Sequence, residues 1–255
     1  VYSSLKLNDK TLAIGTISNG IIHLSTNGEI INKIEQENGL GNNTVLSVFE
    51  DVDHNLWLGM DNGISCVNME SPFLIFNDEK GDLGTVYTSI IFNNKLYLGT
   101  NQGLFYRDEK DHNFKFIENT KGQVWCLKVI DSQLFCGHNR GTFLIENDIA
   151  QSIASVDGTW GILPIKNQPN LLLQGNYNGL NILEKKNCKW RFRNKINGFN
   201  NSSRFLVFID KNQVLVNHEY KGVFKIDIND DYQSISKVQK LNFLGKGLFS
   251  SIAKH

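Results

Sequence analysis

Three short turns carry side chains suited to binding: Gly137-His138-Asn139-Arg140-Gly141, Gly175-Asn176-Tyr177-Asn178-Gly179 and Asn217-His218-Glu219-Tyr220-Lys221-Gly222. Nearby connections add Trp160 and Arg204. Aromatic rings can stack on the C–H faces of a sugar, while imidazole, guanidinium and carboxylate groups bond its hydroxyls. The candidate contacts are His138, Arg140, Trp160, Tyr177, Arg204, His218, Glu219 and Tyr220. For each of them the plainer alternative is a solvated turn residue in a degenerate repeat.

Catalysis has less to work with. Hydrolysis of a glycosidic bond needs a pair of carboxylates. Glu219 is the acidic residue of the divergent turns and Asp157 lies in a connection, but no other pair breaks the pattern. The six histidines have no spacing such as HxxxH, and neither a G-x-S-x-G elbow nor a nucleotide-binding loop occurs. No metal, no cofactor and no enzymatic activity are expected. The four cysteines are too few and irregular for a disulfide framework and include no CxxC. Cys126 and Cys136 lie on adjacent predicted strands joined by Asp131-Ser132. A two-residue turn there sets Cys136 opposite Leu127 and Cys126 on the other face, both as small hydrophobes.

Composition narrows the class. The chain has 255 residues, 40% of them hydrophobic, and its 26 basic and 26 acidic residues cancel. Binding a phosphate backbone needs a neutralising surface, so direct contact with nucleic acid is not expected. No run approaches the ~18 apolar residues of a membrane span, and no signal-peptide pattern is present. Val1 falls inside an apparent strand, which suggests a piece of a longer protein.

The elements that must position these residues repeat. An apolar triplet runs into a polar turn closing on glycine six times: LAIGTISNG, LWLGMDNG, LYLGTNQG, LFCGHNRG, LLLQGNYNG and VLVNHEYKG. The closing glycines are Gly20, Gly63, Gly103, Gly141, Gly179 and Gly222, a period of about 40 residues. In the second unit Thr44–Glu50, Leu56–Leu58, Ile64–Val67 and Phe73–Phe76 read as four short strands. Clusters Asn8-Asp9, Asn93-Asn94, Asp131-Ser132, Lys166 to Asn170 and Asp210 to Asn212 separate first from second strands elsewhere. The triplets' middle residues, Ala13, Trp57, Tyr97, Phe135, Leu172 and Leu215, are expected to pack between neighbouring sheets. The closing glycines are expected at φ > 0.

The predicted fold is all-β: a β-propeller of four-stranded blades forming one domain over residues 1–255. Blades fall at about 1–43, 44–84, 85–122, 123–158, 159–201 and 202–246. Val1-Tyr2-Ser3-Ser4-Leu5, Val86-Tyr87-Thr88-Ser89-Ile90 and Leu248-Phe249-Ser250-Ser251-Ile252 match in phase. Residues 247–255 would then begin a seventh blade, making the chain a truncated seven-bladed propeller.

Gly39-Leu40-Gly41-Asn42-Asn43, Thr44 to Asp51, Leu56-Trp57-Leu58-Gly59 and Asp61-Asn62-Gly63-Ile64 together resemble the two-component regulator propeller repeat. Unit three resembles it through Leu96-Tyr97-Leu98-Gly99-Thr100 and Gly103-Leu104; units four to six resemble it mainly in spacing. The resemblance implies the extracytoplasmic, periplasmic sensor region of a bacterial membrane regulator, especially of the Bacteroidetes. Such regions often pair two seven-bladed propellers with a Tyr-rich β-sandwich, followed by a membrane helix and a kinase or helix-turn-helix output. Relatives tend to sense oligosaccharides.

The expected function is therefore ligand sensing for a membrane-bound transcriptional regulator. The expected partners are an oligosaccharide or other small molecule, the rest of a longer regulator chain, and a second copy in a homodimer. Membrane contact would come only through segments outside this sequence. The main alternative is a protein-interaction propeller of the WD type, although no Trp-Asp dipeptide ends a blade and no Gly-His opens one.

Overall fold

The computed structural model describes residues 1–71, 73, 81–108, 111, 113–243 and 251–252. Among them the strands form six antiparallel sheets, five of four strands and one of three, each meandering in chain order. Among the described residues helix is limited to one 3₁₀ turn, Gln36–Asn38. No described helix is long and apolar enough to cross a membrane. The chain divides into two compact units, Val1–Asp82 and Leu83–His255.

The first unit holds sheet one (Ser3–Lys6, Leu12–Gly15, Ile21–Leu24, Ile30–Ile34) and sheet two (Val45–Glu50, Asn55–Met60, Gly63–Asn68). Ala13, Ile21, Leu56 and Leu58 form the fully buried heart of its core. Expected packing fails at Trp57, which is 45% exposed. Side chains alternate along a strand, so Leu56 and Leu58 take the core face and Trp57 the other. Among the described residues of this unit, sheet two has a partner sheet on one face. The Trp57 indole N–H donates instead to Asp51 Oδ2 at 2.8 Å.

The second unit holds four sheets. Sheet three is Val86–Phe92, Lys95–Thr100, Leu104–Asp108 and Lys115–Phe116; sheet four is Val124–Ile130, Gln133–His138, Gly141–Glu146 and Ile149–Ala154. Sheet five is Gly161–Ile165, Gln168–Asn176, Gly179–Lys186 and Lys189–Lys195; sheet six is Phe205–Asp210, Gln213–His218, Gly222–Ile228 and Ile235–Lys240. The first strands of consecutive sheets are neighbours, which is the blade arrangement of a β-propeller. The fourth strand expected at Phe73–Phe76 and the seventh-blade strand at 247–255 fall largely outside the described residues.

Inner blades are buried on both faces. Leu134 and Cys136 pack with Tyr97, Leu104 and Val124, whereas Phe135 between them packs with Ile162, Leu172 and Trp190. Each such side chain contributes about 1.5–3 kcal/mol on leaving water. Polar staples supplement the packing: the Tyr97 hydroxyl donates to Asp148 Oδ1 at 2.8 Å and the Trp190 indole to Gln133 Oε1 at 3.0 Å. Leu215 is half-buried.

Turn chemistry follows the residues. All six closing glycines have positive φ, from 59° at Gly20 to 152° at Gly103. Asn93-Asn94 and Asp131-Ser132 are paired left-handed residues, as a two-residue hairpin of matching twist requires. Cys136 pairs with Leu127 across the resulting ladder. The turn read at Lys166 to Asn170 is shorter, because Gln168 already pairs with Ile165 and a register shift absorbs the extra residues. All four cysteines are free thiols, and burial pushes that of Cys126 up to about 12.

Candidate functional site

The start of each first strand determines where the site lies. Val124 pairs with His138 and Cys126 with Gly137, so Trp125 between them has no residue opposite. Tyr87 and Leu46 occupy the same kind of shift in sheets three and two. A bulge of this sort re-aims a side chain out of the ladder. In the next two sheets the equivalent positions fall to Trp160 and Arg204. Thr159 and Ser203, the residues just before them, donate backbone N–H groups to His138 and Asn176 carbonyls of the preceding sheet, both at 3.0 Å.

These positions stack in succession. The Tyr87 and Trp125 ring centroids are 5.0 Å apart and those of Trp125 and Trp160 are 4.5 Å apart. The Arg204 guanidinium lies 5.0 Å from the Trp160 centroid and 5.0 Å from that of Phe205. Tyr177 joins from the sheet-five turn, 5.2 Å from Trp160, and its hydroxyl accepts the Trp125 indole N–H at 2.9 Å. The Trp160 indole N–H donates to Ser202 Oγ at 3.0 Å. Gly158 makes room, since a Cβ there would stand 2.0 Å from Tyr177 Cδ1.

Beside this shelf is a pocket of about 230 Å³ lined by Trp160, Ser202, Arg204, His218, Glu219 and Tyr220. Arg204 Nη1 is ion-paired with Glu219 Oε1. His218 Nδ1 accepts the Tyr220 backbone N–H at 3.2 Å, which leaves the proton of a neutral ring on Nε2. Burial, with Lys221 nearby, holds the His218 ring below its ordinary range and favours that neutral form. The pocket thus offers an aromatic wall, one ion pair and a donor imidazole.

Six of the eight residues singled out by sequence, Trp160, Tyr177, Arg204, His218, Glu219 and Tyr220, are brought together here. His138 and Arg140 are not among the residues of this cluster. The His138 ring is fully buried, accepting the Arg140 N–H at Nδ1 (3.0 Å) and donating from Nε2 to the Thr120 carbonyl (3.1 Å). Thr100 does the same work one blade earlier, where its Oγ1 accepts the Gln102 N–H at 3.0 Å. His138 is therefore a turn cap in place of a threonine. Arg140 is exposed and donates to the Lys121 carbonyl at 2.8 Å, fastening a loop.

Trp125, Tyr87 and Ser202 are missing from the sequence-derived set. Their signal was present: Trp125 precedes its closing glycine much as Trp160 does, and Tyr87 sits in a first strand compared for phase. No group of three or more His, Cys, Asp or Glu able to hold a metal occurs among the described residues.

Comparison with known proteins agrees with this architecture. Residues 39–62, which lie in the second repeat and the turn before it, match the model of the two component regulator propeller family. No curated protein matches the sequence. The chain is similar to the extracellular domain assigned to a hybrid two component system, BT3049, from B. thetaiotaomicron. That match has a TM-score of 0.65 and 18% identity, covering 94% of this chain and 34% of the other. The extracellular domain assigned to a one component system, BT4673, from the same organism gives 0.52 and 18%, with coverages of 94% and 37%. The chain thus spans about a third of the length of these structures. At such identity the likeness establishes a common propeller fold.

Proposed function

We propose that this propeller is the extracytoplasmic, periplasmic ligand-sensing part of a membrane-bound transcriptional regulator, and that it binds carbohydrate at the mouth formed by sheets four to six. The observation that carries the reading is the Trp125–Trp160–Tyr177 shelf adjoining the Arg204–Glu219 pocket. Such a shelf presents ring faces and edges next to hydrogen-bonding groups, the combination a sugar needs. At about 230 Å³ the pocket is smaller than the roughly 300–1,000 Å³ of clefts that enclose a drug-sized ligand. It would seat one ring of an oligomer while further rings lie along the shelf.

Binding rather than turnover is supported by the lining, which contains one carboxylate, already paired with Arg204. Hydrolysis would need a second. Thermal-shift screening against an oligosaccharide panel tests the reading. A hit should stabilise the protein progressively with concentration, and Trp160→Ala should abolish the shift. Equal shifts in wild type and Trp160→Ala would place binding elsewhere.

A further inference from the structure

We infer that this site, on the carbohydrate reading above, selects by charge: its pocket takes an uncharged polyhydroxylated ring and rejects acidic sugars, with Glu219 as the specificity-determining residue. Arg204 is the cation lining the pocket, and it is already committed. Its guanidinium is held against the Trp160 and Phe205 rings and pairs with Glu219.

Two basic side chains of the neighbouring turns, Lys221 and Arg140, are also engaged. Lys221 Nζ donates to Asn201 Oδ1 at 2.6 Å, and Arg140 donates to backbone carbonyls of the sheet-three to sheet-four loop. His218 presents a neutral imidazole. The lining therefore has no net charge.

An incoming carboxylate or sulfate would have to share Arg204 with Glu219 or displace it. Either way a carboxylate, whose side chain is 25% exposed, stands beside a second anion, with no other cation among the described residues lining the pocket. Like charges brought together in this way oppose binding, the usual form of discrimination by repulsion. A cationic sugar meets the mirror problem at Arg204. Neutral hydroxyls avoid both, because a guanidinium has five N–H donors and a carboxylate about four acceptor sites. A vicinal diol can bridge the pair without breaking it.

The test is calorimetric titration of the wild-type protein at its native length and of Glu219→Gln. The probes are neutral oligosaccharides of cellulose, xylan, arabinan and mannan, together with oligogalacturonates and their methyl esters, which remove the charge at the cost of one added methyl per ring. Glu219→Gln changes no shape, and its melting curve serves as the folding control. The expected result is binding confined to neutral probes in the wild type. In Glu219→Gln, the acidic relatives of a bound probe should gain about tenfold or more in affinity. Wild-type preference for acidic probes, or no gain in the variant, overturns the charge selection and leaves the carbohydrate reading intact. Failure of every probe overturns both.

Discussion

His138 illustrates how a residue type can mislead about its task. A histidine in a turn suggests a ligand contact, but here both ring nitrogens serve the backbone of two loops. His138→Ala should therefore cost about 1–3 kcal/mol through unsatisfied buried groups, read as a shifted urea midpoint, while sugar binding at the pocket survives. His138→Thr should recover part of the loss. Burial also holds the His138 ring below its ordinary value of 6.5. The unfolded chain then takes up a proton near 6.5 that the folded chain refuses. Stability is fully present above that pH and is lost as pH falls from it toward the depressed folded value. Urea midpoints at about pH 7.5 and about pH 5 should differ less in His138→Thr than in wild type. His54 works in the opposite sense, because its bond to Glu50 raises it. Its contribution is present at low pH and fades as pH rises through the folded value. Gly158→Ala creates a severe local conflict, since its φ is +71° and its Cβ would meet the Tyr177 ring. It should cost about 1–3 kcal/mol and change tryptophan fluorescence as the Trp125–Tyr177 bond breaks.

At the scale of elements, the bulge at the start of a first strand matters most. It frees Trp125 from the ladder without ending the sheet, and the neighbouring blade supplies Trp160 for it to meet. The strand that follows the first turn is buried on both faces, so it reads as a near-continuous apolar run rather than an alternation. Phe135→Ala should cost about 3–5 kcal/mol in chemical denaturation, because its cavity opens between sheets four and five. Trp57→Ala should cost much less, since the ring is partly in water and its one bond is to the half-buried Asp51. The two triplets look alike in sequence. What separates them is whether a sheet of the same unit covers the face the side chain takes, and the triplet does not contain that information.

For the molecule as a whole, hydrogen exchange should be slowest in the second and third strands of sheets four and five, where Leu134, Phe135, Cys136, Leu172, Leu173, Leu180 and Leu183 are buried. Residues Ile30–Ile34, largely exposed, should exchange early. A uniform exchange profile would contradict the blade-by-blade core.

The sequence by itself determined the repeat, the strand order and the handedness of the tight turns. These depend on side chains within a few residues of one another: glycine or Asn-Asn where φ must be positive, and apolar triplets where a strand must be covered. Only the tertiary structure decided the site. Trp125, Trp160 and Arg204 stand on successive blades and meet because consecutive first strands lie side by side, with Tyr177 joining from the sheet-five turn. The same packing buried His138, by bringing the Thr120 carbonyl to its ring, and no local pattern specifies that meeting.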